Sequence, residues 1–108
     1  MAFVPQLQKV EVIEASPDRL DVRGALTFAT ARLAYEAGLR TLRRNGSSNT
    51  PLQVDCAGVT ASDSAGLAVL LELLAAGTRH GRAVRFSNLP DGIRAAAQIS
   101  DVSALLET

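Results

Sequence analysis

Between Ala61 and Gly77 the chain reads ASDSAGLAVLLELLAAG, a run of small polar residues followed by eleven residues broken by a single charge. Such a segment must be buried, span a membrane or meet another protein. From Leu67 to Ala76 it carries Glu72 and falls well short of the roughly 20 apolar residues a membrane span requires, so direct membrane insertion is not expected. On a helical wheel at about 100° per residue, Leu67, Leu70, Leu71 and Leu74 gather on one side, the stripe that faces a core. Ala65, Val69, Leu73 and Ala76 fall on the opposite half beside Glu72, where a surface helix ordinarily carries charge. That second face is either covered within the chain or exposed as an apolar patch for a partner.

The surrounding sequence supplies a domain for this helix. With 108 residues, 47% of them hydrophobic, the chain has room for one domain and one core. Leu7, Val10 and Val12 alternate with polar residues, as do Leu20 and Val22, and Ser16-Pro17-Asp18 between them is turn chemistry, which predicts a hairpin. From Thr27 to Arg43 the period becomes helical. Phe28, Ala31, Tyr35, Leu39 and Leu42 share one side, Thr27 is placed to cap the start, and Asn45-Gly46 to stop the helix. The polar stretch RRNGSSNTP reads as an exposed loop. PLQVDCAGV then reads as a short strand leading through Thr60 to Asp63 into the second helix. AVRFSNLP reads as a further strand, DGIRAAAQI as a short helix with Ile93, Ala96, Ala97 and Ile99 inward, and DVSALLE as a last helical turn capped by Asp101. The order β-β-α-β-α-β-α predicts an α/β domain spanning 1–108, a mixed sheet with a leading antiparallel hairpin and helices packed against it.

Several classes of function are disfavoured. Eleven basic residues balance eleven acidic ones, so no overall field points to nucleic acid. The start Met-Ala-Phe-Val-Pro lacks the features of a signal peptide, and Cys56 has no second cysteine to pair with, so a reducing cytosol is the expected setting and Cys56 reads as a small buried hydrophobe. His80 stands sixteen residues after Ser64, roughly 24 Å along one helix, too far for a Ser-His pair. One Cys, one His and scattered acids make no metal site, and no Gly-rich Lys-Ser/Thr loop is present. No catalytic residue, metal or cofactor is expected. Asp63, Ser62 or Ser64 suits a helix cap. A hydroxyl exposed there beside an apolar face would also suit a phosphoswitch, since the helix start favours a phosphate while the apolar seam does not.

VDCAGVTASDSAGLAVLL resembles the signature of STAS domains, the module of anti-sigma-factor antagonists and of the MlaB-type subunit of Mla phospholipid ABC transporters. Asp55 matches the family's strand-end Asp, and Asp63, Ser64, Gly66 and Leu67 match its loop and helix start. VRGALTFATA resembles the second strand and first helix, and GRAVRFSNLPDGIRAAAQISDVSALL the last strand and helices. The resemblance implies a STAS-type domain whose Ser64 stands where many antagonists are phosphorylated. Antagonists tend to carry Gly-Glu-Leu-Asp after the second strand, whereas this chain has Gly24-Ala25-Leu26-Thr27, which is closer to the MlaB type. The implied function is a non-catalytic cytosolic subunit, peripheral to the inner membrane, that binds the ATPase subunit of the transporter in complex with its membrane permease. Its expected contact surface is Ser64, Ala65, Val69, Glu72, Leu73 and Ala76. The alternatives are an anti-sigma-factor antagonist switched at Ser64 and, more remotely, a small-ligand module.

Overall fold

In the computed structural model, which describes residues 9–45 and 48–106, the hairpin forms first along the chain. β1 (Val10–Ser16) and β2 (Arg19–Leu26) pair antiparallel across a two-residue Pro17-Asp18 turn, with Val12 opposite Val22. Leu7 and Gly46, which the sequence reading used, lie outside the described residues. α1 (Ala31–Asn45), β3 (Leu52–Ser62), α2 (Ser64–Arg79), β4 (Val84–Ser87), α3 (Asp91–Ile99) and α4 (Ser103–Leu106) follow. The sheet order is β1-β2-β3-β4, with β2, β3 and β4 parallel. This is the expected α/β domain with an antiparallel leading strand.

Alternation decides the layers. Leu20 and Val22 of β2, Leu52, Val54 and Cys56 of β3 and Val84 of β4 are buried, and the helices cover that face of the sheet. The intervening Arg19, Asp21 and Asp55 form a charged lattice on the other face, Arg19 reaching Asp21 at 2.9 Å and Asp55 at 2.6 Å. β3 does not end at Asp55, as the resemblance implied, but continues to Ser62. Two register shifts, each placing an extra β3 residue opposite β2, let it keep pairing with Arg23 through Leu26. Asp55 marks the first of these irregularities. Its Oδ1 accepts the Asn88 side-chain amide at 3.0 Å and the Ala57 N–H at 2.9 Å.

Two helix assignments need correction. α1 begins at Ala31, not Thr27. The chain first makes a turn in which the buried Thr30 hydroxyl accepts the Thr27 N–H and donates to the Ala25 carbonyl at 2.6 Å. Phe28 is therefore outside the helix and 85% exposed. In α3, Ile93 and Ala97, four residues apart, take the inward side, and Ile99 is turned out to solvent.

α1 and α2 approach closely because Gly38 has no side chain. A Cβ there would stand 2.6 Å from a methyl of Leu73. At the far end of α2 the buried Arg82 closes the domain. Its Nε donates to the Thr50 carbonyl at 3.0 Å, and Nη2 donates to the Pro17 carbonyl at 3.2 Å and to Asp18 Oδ1 at 2.7 Å. No sequence pattern singles out this arginine.

Replacing Arg82 with Ala strands those acceptors and empties its site, and is expected to lower unfolding stability by about 2–4 kcal/mol. Asp18→Ala leaves the buried guanidinium with only its two carbonyl acceptors and is expected to cost a comparable amount, about 1–3 kcal/mol; urea denaturation of both variants checks this. The bonds from Asn88 and Ala57, with Arg19 nearby, hold the Asp55 carboxyl below its ordinary pKa. A lowered folded-state pKa stabilises the fold above the unfolded value of about 3.9, and that contribution disappears as pH falls through the folded value. Thermal unfolding should accordingly find Asp55→Asn less stable than wild type at pH 7, with the difference closing as the solution is acidified below about pH 4.

Candidate functional site at the start of the second helix

α2 starts where β3 ends, and Asp63 makes the junction. With extended backbone (φ −144°, ψ −170°) it is the N-cap, so of the three residues suited to that role the structure selects Asp63. Its Oδ1 accepts the N–H groups of Ala65 at 2.9 Å and Gly66 at 3.2 Å, satisfying donors that the first turn leaves without intrahelical partners. Its Oδ2 accepts the Phe28 N–H at 3.1 Å, so the same carboxylate fastens the turn between β2 and α1. Gly66 sits against the Leu26 carbonyl, and any Cβ there would collide with that oxygen. Leu67 is buried in the core. Three of the four helix-start positions are thus explained by the junction itself.

Ser64 is the remaining one. It is the first residue of α2 and is exposed. Ala65 is half-buried and Glu72 exposed, but Val69, Leu73 and Ala76, expected on an outward partner face, are in the core at 6%, 4% and 0% exposure. The wheel placed one apolar stripe toward the core and left the second without cover. In the structure α2 is covered both by the sheet and by α1, whose Gly38 lets it close over Leu73. The buried arc therefore spans about half the helix and includes the stripe read as outward. The stripe read as inward divides, with Leu67 and Leu70 buried while Leu71 and Leu74 stay half-buried at the rim.

On the outward side an uncharged line runs Ser64, Ala68, Leu71, Ala75, Thr78, at alternating steps of four and three residues, with Leu71 half-buried and the exposed Glu72 and Arg79 along one edge. Beside it, Leu71, Leu74, Ala75 and Thr78 form one wall of a groove of about 530 Å³ completed by Ala83, Val84 and Leu105. Leu105 is 55% exposed. Phe28, tied to Asp63 through its backbone, adds an exposed aromatic ring near the Ser64 end of the line. At this end too, Gly92 of α3 lies against the Ser62 hydroxyl. The sequence reading missed Phe28 and Leu105. Thr30, placed directly before Ala31, was the available signal for Phe28, since a threonine cap there leaves the phenylalanine in the preceding turn.

His80 is the C-cap at the opposite end of α2 from Ser64. Among the described residues no group of three Cys, His, Asp or Glu side chains is gathered for a metal. Burial and the neighbouring Asp55 push the Cys56 thiol up to about 12, so it holds its proton and is a poor nucleophile. Among the described residues no helix is long and apolar enough to cross a membrane.

Comparison with known proteins agrees with this architecture. No curated protein sequence matches the chain. The solved structure described as that of the anti-sigma factor antagonist SpoIIAA in its unphosphorylated form superposes with a TM-score of 0.66. The superposition covers 91% of this chain and 85% of that one at 9% sequence identity, a likeness of fold alone. The family model described as MlaB, STAS domain, matches residues 11–107. With that match running through both the hairpin and the Asp63–Leu67 junction, the chain belongs to the MlaB-type STAS domain family.

Proposed function

We propose that the chain is a non-catalytic STAS subunit that binds the ATPase subunit of an Mla-type phospholipid ABC transporter and stabilises or activates it. On this reading it works in the cytoplasm, held beside the inner membrane through the complex of ATPase and permease. The observation that carries the proposal, given the family, is the uncharged line from Ser64 to Thr78, bordered by the charges of Glu72 and Arg79 only along one edge. A helix side left to water alone ordinarily carries charge, and an apolar strip bordered by a groove is the form a protein contact takes. The docking surface is then Ser64, Ala68, Leu71 and Ala75 with Leu105, and Ala65 and Glu72 at its border. Val69, Leu73 and Ala76 support it from the core.

A second reading, an anti-sigma-factor antagonist switched by phosphorylation, draws on the exposed hydroxyl of Ser64 at the first helical position, where the dipole favours a phosphate. It draws no support from the β2–α1 turn, which carries no acid between Gly24 and Thr30.

Ser64→Glu separates folding from docking. An acid in the first turn suits the dipole, worth about 0.3–1 kcal/mol to the helix, so the variant should melt no lower than wild type. In the contact the same charge should weaken binding to the ATPase about tenfold or more and reduce its stimulation accordingly. Equal stimulation by both proteins would remove Ser64 from the surface. Leu71→Asp should behave likewise, and recovery of a phosphorylated Ser64 with a serine kinase partner would favour the antagonist.

A further inference from the structure

The outward side of α1 has no role in the surface just described. This helix carries Arg32, Arg40, Arg43 and Arg44 against one acid, Glu36, in a chain whose charges balance overall. At about 100° per residue these five side chains and Leu33 fall within about a third of the circumference, opposite the buried Ala34, Gly38 and Leu42. Helix stability accounts for only part of the pattern. Arg43 and Arg44 in the last turn suit the dipole, but Arg32 stands in the first turn, which holds no acid and where a cation is disfavoured. Arg32 pairs with Glu36 at 3.0 Å and Arg44 with Glu14. Arg40 and Arg43 have no ion-pair partner among the described residues.

These two free guanidinium groups border a depression of about 460 Å³, lined also by Arg32, Glu36 and the half-buried Tyr35 and Leu39. Its floor is apolar and its rim cationic. A free anion would leave Tyr35 and Leu39 unused. A bilayer takes apolar groups that project from a basic face, and here only Leu33 projects while Tyr35 and Leu39 are recessed. We infer that this face is a second docking surface, for an acidic amphipathic segment of a protein partner. Carboxylates of that segment meet Arg40 and Arg43 in charge-assisted bonds, and an apolar side chain settles on Tyr35 and Leu39.

The test uses the full chain and a fluorescently labelled helical peptide with Glu and Leu at i, i+3 and i+4 spacing, followed by anisotropy. Wild-type protein should bind it, with affinity falling as salt rises. Arg40→Gln with Arg43→Gln should weaken binding about tenfold, and Arg40→Lys with Arg43→Lys should restore much of it. Ser64→Glu should leave it unchanged, which separates this face from the α2 surface. Failure of the wild type to bind, equal binding by the Gln variant, or equal binding of a peptide with Gln in place of Glu would overturn the inference. So would tighter binding to vesicles about one-third phosphatidylglycerol than to the peptide, which would assign the face to a lipid surface.

Discussion

One carboxylate organises the functional end of this molecule. Asp63 accepts N–H groups from Ala65 and Gly66 at the start of α2 and from Phe28 in the turn that leads to α1. Two connections are held by it, Phe28 standing 35 residues before Asp63. The close seating of Gly66 on Leu26 depends on the same junction. Without this triple acceptance the part-buried Gly66 N–H would lose its side-chain acceptor and the turn at Phe28 its tie to the helix start. Ser64, the residue after this cap, is exposed as the first residue of α2.

The burial of α2 shows how neighbouring elements decide what a helix offers to partners. A helix that lies on a sheet hides one stripe, and a helix that is also flanked hides about half its surface. Gly38 permits the flanking here, so Val69, Leu73 and Ala76 became core and the available surface moved round to Ala68, Leu71 and Ala75. The contact surface kept its character, small and uncharged, while changing its residues. Its Ser64 end is the same in either arrangement.

The layers and order of elements were legible because they rest on periodicity. Strict alternation at Leu20 and Val22 and the i, i+3, i+4 recurrence in both long helices are local properties of the chain. Of the helix-start motif, the capping role was legible because an N-cap acts within one turn, and Gly66 and Leu67 only through the resemblance, since Gly66 answers to the distant Leu26 carbonyl. What could not be read depends on contacts distant in sequence. The bulges that carry β3 past Asp55 answer to the length of β2, and the inward turn of Leu73 to a glycine on another helix. The groove wall at Leu105 requires α4 to return beside α2, which no local pattern encodes.

Arg82 has a bearing on how the domain opens. Its guanidinium joins the Pro17-Asp18 turn, the Thr50 carbonyl and the segment leading to β4, spanning 64 residues between Asp18 and itself. The two outer strands of the sheet, which share no backbone pairing, are thereby coupled through one side chain at the end remote from Ser64. Local openings of the hairpin turn and of the start of β4 belong to one cooperative unit in consequence, and amide exchange in both should proceed at a common rate. The surface proposed for docking at one end of the sheet is thus backed by a fastening at the other.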